Sequence, residues 1–247
     1  PLIYDSDTLE NVEFGLKSEF GDGRVVFNAV YYDMTVDNQQ IEVIDPANKL
    51  GTFSSQYGNA PFQVVVGNVG ESTIEGFELE FRALIGDNLE IGGNYTDIMD
   101  AFVDTNATIS EPRADAGSIP TGLEPRSLLP LMPDQTYNLY LEYSPETPIL
   151  GGSANFRISY SHVGESLNQI TDDFVSYRLP QGDYEIMDTS FNLEINDWVA
   201  RVYVSNLTDE RGITYEDTQD FDPLWGRYSS NVVRPRTFGF SLRKFFR

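Results

Sequence analysis

The sequence RTFGFSLRKFF, residues 236–246, carries the clearest structural signal in the chain. Its apolar residues fall on alternate positions: Phe238, Phe240, Leu242 and Phe246. Lys244 is the exception on that face, and the intervening positions include Thr237 and Gly239. Alternation with a period of two predicts a β-strand with one apolar face. Because an exposed apolar edge strand promotes aggregation in water, this pattern favours a strand that closes a barrel in lipid.

The same alternation recurs along the rest of the chain. In residues 9–20, for example, Phe14 and Leu16 alternate with Gly15 and Lys17. About nine such segments are present, most of them about ten residues long. Short turns and long polar segments separate them in strict alternation, with the long ones near 45–61, 100–133, 164–182 and 209–231.

These regularities predict an antiparallel meander with all short turns at one end and all long loops at the other. Ten residues tilted by about 40° span about 25 Å, which is the height of an outer-membrane apolar band. The predicted fold is therefore all-β, an up-and-down transmembrane β-barrel. A soluble β-sandwich or lipocalin-like barrel shares the alternation and is the alternative, although its strands are usually about five or six residues long.

Charged and amide side chains occupy the face opposite the apolar one. If the apolar faces pack inward, these polar groups simply face solvent. If the apolar faces meet lipid, the polar groups line a lumen that is wide, wet or plugged, because unpaired buried ions are costly. The residues predicted to face this lumen are Glu78, Glu80, Arg82, Asn94, Asn155, Arg157 and Arg201. Aromatic residues near strand ends fit interfacial girdles or ordinary cross-strand pairs: Tyr95, Tyr137, Tyr143, Tyr160 and Trp198.

Composition excludes several classes of function. The chain has 247 residues, no cysteine, and 39 acidic against 16 basic side chains, for a formal net charge of −23. Without cysteine there is no disulfide framework, thiol nucleophile or cysteine-based zinc site. The acidity argues against nucleic acid as a partner, since phosphates need a basic surface. No apolar run approaches the roughly 20 residues of a membrane helix.

An odd number of strands predicts that the sequence is part of a larger domain. Single-chain bacterial barrels have even strand numbers. The first residues, Pro1 to Tyr4, also lack the basic start and long apolar run of a signal peptide. We therefore expect residues 1–247 to form the C-terminal part of one outer-membrane β-barrel domain, with the earlier strands outside this sequence.

No catalytic constellation is evident, so neither an enzyme nor a cofactor or metal is expected. His162 has no nucleophile at a recognisable spacing. Asp217, Asp220 and Asp222 lack the spacing and glycine of an EF-hand. The long loops are the expected ligand-binding sites. The candidate residues there supply aromatic stacking surfaces or anion-binding guanidinium groups: Tyr57, Arg113, Arg126, Tyr215, Trp225, Arg227 and Tyr228.

Several segments resemble, in order, the C-terminal half of TonB-dependent outer-membrane receptors. They are LENVEFGLK at 9–17, NVGESTIEGFELE at 68–80, and NLTD at 206–209 followed by RTFGFSLR at 236–243. Each segment alone is weakly informative, whereas the ordered set spans nearly all of the chain and is more specific. The resemblance implies a barrel of about 22 strands in the bacterial outer membrane, plugged by an N-terminal domain.

The resemblance also implies a function and a set of partners. The receptor would import a scarce nutrient with energy relayed by the TonB complex, and its partners would be the plug domain, the remaining barrel strands, outer-membrane lipid and a small-molecule ligand. A ferric siderophore, cobalamin, an oligosaccharide and a peptide remain open as ligands. A passive porin or other channel, and a soluble secreted β-domain that binds a ligand or partner, are the alternatives.

A barrel-assembly signal in the last strand is a further implication of the resemblance, at Phe238, Gly239, Phe240, Leu242 and Phe246. The sequence departs from the family pattern in two places: Lys244 replaces an expected apolar residue, and Arg247 follows the terminal aromatic. Neither the plug nor the TonB box occurs in this sequence. The transport mechanism therefore does not follow from these residues.

Overall fold

The computed structural model describes residues 6–44, 64–105, 126–170, 178–217 and 229–246. The regular secondary structure in these ranges consists of β-strands alone. In chain order the strands are β1 (Thr8–Phe20), β2 (Val25–Ile44), β3 (Val64–Ile85), β4 (Leu89–Thr105), β5 (Arg126–Leu128), β6 (Gln135–Tyr143), β7 (Ser153–Val163), β8 (Ser166–Leu167), β9 (Pro180–Gln181), β10 (Tyr184–Ile195), β11 (Trp198–Ser205), β12 (Ile213–Asp217), β13 (Ser229–Val232) and β14 (Thr237–Lys244). Within the same ranges, no helix has the length and apolar character needed to cross a membrane.

The strands form one large antiparallel sheet. Its 10 strands run in the order β1-β2-β3-β4-β6-β7-β10-β11-β14, with β5 paired to β4. The predicted meander is therefore confirmed. The short connections, such as 21–24 and 196–197, lie at what we call the short-turn end of the sheet. The long connections between β4 and β6, β7 and β10, and β11 and β14 lie at the opposite, long-loop end.

The structure differs from the sequence prediction at the long-loop end. β2 continues to Ile44 and β4 to Thr105, beyond the point where apolar alternation stops. Segments expected to be loops contain β5 and two small sheets, β8–β9 and β12–β13. These strands and strand extensions are either short or polar, so they lack the hydrophobic periodicity from which strands are predicted.

The apolar face of the large sheet is exposed. Phe14, Phe238 and Phe240 have 69%, 72% and 67% of their surface accessible. The buried apolar residues in the described ranges lie mostly near the long-loop end: Ala101, Phe102, Val103, Ala154, Ile170 and Val233. Among the residues that the structure describes, no second layer packs on this sheet. A single sheet with one apolar and one polar face is typical of the wall of a membrane barrel.

Three glycines on the polar face lie beneath tyrosine side chains of the neighbouring strand. The directly opposed pairs are Tyr32 with Gly76, Tyr140 with Gly92, and Tyr203 with Gly239. At each glycine, a Cβ atom would overlap the facing tyrosine. An aromatic ring that covers a cross-strand glycine fills the space left by the absent side chain. We refer to these contacts as the tyrosine–glycine pairs.

The third pair determines the register of β14. A slip of two residues would keep each β14 side chain on its own face, because side-chain direction repeats every two residues. Such a slip would also place Thr237 or Ser241 opposite Tyr203 in place of Gly239. A Cβ at that position collides with the ring. With the Tyr203 ring in this position, the contact therefore disfavours a register that the alternation alone allows.

A second set of contacts holds the start of β14 beside the end of β11. Asn206 is only 3% exposed and has a left-handed φ of 52°. Its Nδ2 donates to the carbonyl oxygens of Glu210 and Arg234, both at 2.9 Å, and its Oδ1 accepts from the Glu210 N–H at 2.8 Å. Glu210 and Arg234 lie at opposite ends of the connection between β11 and β14. One amide side chain therefore closes the base of that long connection.

Asp209 adds an ionic contact to the same base. Its Oδ1 accepts a hydrogen bond from the Arg236 backbone N–H at 2.9 Å, and its Oδ2 lies 3.4 Å from the Arg211 guanidinium. The hydrogen bond from Arg236, followed by the positive charges of Arg211 and Arg236, lowers the pKa of the Asp209 carboxyl from its ordinary value of 3.8. The folded chain therefore favours the ionised form of this carboxyl.

We expect Gly239→Ala to destabilise the full-length protein by about 1–3 kcal/mol, because the new methyl group overlaps the Tyr203 ring. Tyr203→Ser in the same background should restore most of the lost stability, since it removes the ring. Gly15→Ala is the matched control, because its Cβ would lie 3.6 Å from the nearest atom, in Val30. Denaturant unfolding measures the three effects. Equal stability of the two glycine variants would contradict the role of Gly239 in register.

Replacing Asp209 by asparagine should weaken the dependence of stability on acid pH. Because the folded-state pKa is lowered, the contribution of Asp209 is complete above 3.8 and is lost as pH falls through the lower folded-state value. The stability difference between the wild type and Asp209→Asn should therefore be largest near neutral pH and shrink below about pH 4. Denaturant midpoints across a pH series measure this difference. A difference that stays constant down to about pH 3 would rule out the ionic contribution.

Candidate functional site

The polar face of the sheet carries an open hollow of about 670 Å³. A row of directly opposed side chains crosses five strands and lines it: Lys17, Asn28, Glu80, Asn94 and Asn138. Within this row Asn28 Nδ2 donates to Glu80 Oε2 at 2.9 Å. The wall offers amide, carboxylate and ammonium groups, so it suits water and polar ligands or polypeptide.

The seven residues predicted to face a lumen all lie on this polar face. Those that line the large hollow are Glu78, Glu80, Arg82, Asn94 and Arg157. Arg157 and Arg201 together line a smaller hollow of about 150 Å³ between β7, β10 and β11. Asn155 shares a cross-strand row with Arg201 through Asn192.

The arginines of this face differ in how they are neutralised. Arg157 Nη1 lies 2.9 Å from Glu142 Oε2, and Arg82 Nη1 lies 3.3 Å from Glu90 Oε2. Both pairs are partly exposed, so each contributes little to stability. Arg201 packs over the Tyr203 ring and has no carboxylate partner in the part of the chain that the structure describes. The guanidinium group of Arg201 is therefore open to an anionic group from outside the described residues.

The titratable groups of the described residues do not converge on a catalytic or metal-binding arrangement. No three His, Asp or Glu side chains in these ranges lie close enough to hold a metal ion. His162 packs its ring on Tyr137 at 4.9 Å. Asp217 lies in β12, whereas Asp220 and Asp222 fall outside the described residues. The described side chains of the polar face can bind a polar group through hydrogen bonds and charge.

At the long-loop end, the connections are joined into one layer. Asn168 and Gln181 form hydrogen bonds with the backbone of Glu216 in β12. Their side chains are buried, with exposures of 5% and 7%. Asn168 Nδ2 donates to the Glu216 carbonyl at 3.0 Å, and Gln181 Oε1 accepts from the Glu216 N–H at 3.0 Å. The connection before β6 joins the same layer through the Leu131 N–H, which donates to the Leu167 carbonyl at 2.8 Å. We call this assembly the loop layer.

Two of the predicted ligand-binding residues lie in the described ranges. Arg126 is engaged within the chain, with Nη2 3.0 Å from Asp100 Oδ2 and its guanidinium over the Phe102 ring. Tyr215 lies in β12, opposite Asn231 and next to Glu216. The two residues belong to different sheets, so the structure does not pair them. The other five candidates lie outside the described residues: Tyr57, Arg113, Trp225, Arg227 and Tyr228.

The buried amides of the loop layer are the residues that sequence reasoning missed. Asn168 and Gln181 lie in segments that read only as polar loops. A single amide in such a segment carries no periodic or motif signal, and its burial depends on a partner elsewhere in the chain. Asn206 differs, because it opens the NLTD segment already noted for its resemblance to a family.

Aromatic residues bound the apolar face at both ends. Near the long-loop end, Tyr137 packs against Tyr95 and Tyr160 at centroid distances of 6.4 and 5.9 Å; we call these three the tyrosine cluster. Tyr143 and Trp198 lie on the same face at the short-turn end. Aromatic belts at two levels of an apolar band are typical of the two interfaces of a membrane.

The comparisons with known proteins identify a family and a fold. The sequence matches the family model described as "TonB dependent receptor-like, beta-barrel" over residues 5–207. A search of curated proteins found no match. Among solved structures, the chain is similar to the ferric yersiniabactin uptake receptor FyuA from Yersinia pestis, with a TM-score of 0.65 and 19% identity over 96% of this chain and 30% of that one.

Two further structures show the same likeness. The ferric-catecholate import receptor Fiu from E. coli K12 gives a TM-score of 0.64 and 17% identity, over 98% of this chain and 28% of that one. The copper transporter OprC gives 0.61 and 16%, over 96% and 31%. At these identities the likeness concerns the fold alone. The chain spans about 30% of the length of these proteins.

The family match covers residues 5–207, which include every strand of the large sheet except β14. The alternating faces, the meander and the unequal ends agree with it. The chain therefore belongs to the TonB-dependent receptor family, and residues 5–207 match its β-barrel domain.

Proposed function

We propose that the protein containing this chain is a receptor of the bacterial outer membrane that imports a scarce nutrient with energy relayed by TonB. The family match over residues 5–207 carries this proposal. The sheet supports it, because an apolar face bounded by aromatic residues suits lipid and a polar face suits a hydrated interior. In this proposal residues 1–247 are part of one barrel domain, and a plug domain and further strands complete the protein.

The two faces of the sheet have separate roles in the proposed receptor. The polar face forms the wall of the lumen and contacts the plug. Arg201, which has no carboxylate partner among the described residues, is suited to an acidic group of that domain. Phe238, Phe240 and Leu242 face lipid in the last strand, where assembly machinery would recognise them together with Gly239 and Phe246.

Ligand capture is assigned to the long-loop end. The similar structures include a ferric yersiniabactin uptake receptor, a ferric-catecholate import receptor and a copper transporter. A ferric siderophore or another metal complex is accordingly the ligand class that we propose to test first, ahead of cobalamin and oligosaccharide. The loop layer supports this role, because its cross-linked backbone holds Tyr215 on a fixed support.

Energy-dependent uptake is the direct test of this proposal. The full-length gene is expressed in an indicator strain and in the same strain lacking TonB. The probes are radiolabelled ferric complexes of a catecholate, a hydroxamate and a phenolate siderophore, together with copper(II) and cyanocobalamin. We expect accumulation of at least one probe, and its loss without TonB. Accumulation that persists without TonB would identify a passive channel, and a protein that remains soluble without detergent would exclude the membrane barrel.

Tyr215→Ala should weaken binding of the imported probe by roughly fivefold or more, because loss of a central aromatic contact costs at least about 1 kcal/mol. Tyr143→Ala is the matched control, since Tyr143 lies in β6 at the short-turn end. Equilibrium binding of the labelled probe to purified full-length protein measures both effects. Equal affinities for the two variants would exclude Tyr215 from ligand contact.

A further inference from the structure

Lys244 is an anomaly on the apolar face of the large sheet. Across the strands that the structure describes, it is the only charged side chain on that face between the tyrosine cluster and the short turns. The β14 residues that precede it on the same face, towards the long-loop end, are Phe238, Phe240 and Leu242. An ammonium group at the edge of a lipid-facing surface requires an anionic or aqueous partner.

Aromatic rings hold this ammonium at the short-turn end. Lys244 lies directly opposite Trp198 in the β11–β14 ladder. Its Nζ is 5.1 Å from the centroid of the Trp198 ring and 5.0 Å from that of Phe246. Among the described residues, neither the ammonium nor the Trp198 indole N–H has a protein acceptor. Two neighbouring donors are therefore available to one external acceptor.

An apolar groove lies farther along the same face, towards the long-loop end. Its volume is about 360 Å³, and its side-chain walls are Phe156, Phe191, Val202, Val204 and Phe238. Val202 follows Trp198 by four residues in β11, so roughly 13 Å of strand separates the Trp198 backbone from this wall of the groove. An ammonium and an indole N–H at the short-turn end, with an apolar groove nearer the long-loop end, match the order of headgroup and acyl chain in a lipid.

We propose that Lys244, Trp198 and this groove bind one glycerophospholipid in the leaflet at the short-turn end. The lipid phosphate accepts hydrogen bonds from the Lys244 ammonium and the Trp198 indole N–H, and one acyl chain occupies the groove. The inference rests on the membrane placement proposed above. It also explains why a lysine occurs in a strand whose other outward positions are apolar, because the phosphate neutralises it.

The test measures lipid retained by the full-length protein. The protein is purified in detergent, incubated with phosphatidylglycerol and analysed by native mass spectrometry. We expect Lys244→Gln to weaken retention by about tenfold and Lys244→Arg to preserve it, because arginine keeps the charge and the donors. Val202→Phe should also reduce retention by filling the groove. Lys17→Gln is the matched control, because Lys17 lies on the polar face opposite Asn28.

A second measurement uses the wild-type protein alone, so its result does not depend on whether a variant folds. It should retain phosphatidylglycerol and release diacylglycerol, which has the acyl chains and lacks the phosphate. Equal retention of the two lipids, or unchanged retention by Lys244→Gln, would overturn the proposal. Heat-modifiable migration on a gel reports folding of each variant.

The lipid site and the transport function can fail separately. Ligand import without this lipid selectivity would refute the lipid site alone. Lipid retention without TonB-dependent uptake would refute the transport function alone.

Discussion

A tyrosine side chain lying over a glycine of the next strand is the contact on which the alignment of this sheet depends. Strands with a two-residue repeat keep their faces when they slip by two residues, so polarity alone permits several registers. A soluble domain usually excludes the wrong registers by close packing of a core. In the described residues the large sheet has no second layer to provide that packing. Steric overlap at Gly76, Gly92 and Gly239 takes its place.

Buried polar groups organise the long-loop end of the molecule. Asn206 closes the connection between β11 and β14, while Asn168 and Gln181 join two neighbouring connections through the backbone of Glu216. Leaving one such buried group without its partner costs about 1–3 kcal/mol. The hydrogen bonds therefore specify one arrangement of the loops. The proposed ligand surface gains a stable support from this, without a large apolar core beneath it.

The sequence predicted the wall of the fold better than its long-loop end. Alternation in segments such as 9–20 and 236–246 identified the long strands, because the polarity of each residue indicates the face of the sheet on which it lies. The small sheets β8–β9 and β12–β13 were missed, because strands of two to five residues are too short to show a clear alternation of polar and apolar residues. The partners of Arg126 were also out of reach, since Asp100 and Phe102 approach it only after β4 and β5 pair.

The polar face followed from the same alternation, but the tyrosine–glycine pairs did not. Tyr203 and Gly239 are separated by the whole connection between β11 and β14, and only the pairing register brings them together. Nothing in the composition of either strand marks the contact.

The tyrosine–glycine pairs also constrain how this sheet can change over evolutionary time. While the Tyr203 ring covers position 239, any side chain there overlaps the ring and is destabilising; once the tyrosine is replaced by a small residue, the glycine becomes free to vary. The favoured order of substitutions is therefore loss of the ring first and of the glycine second. Among descendants of this sequence, the two positions should covary as a unit, and lineages that lose the ring should recover register specificity through a different cross-strand contact.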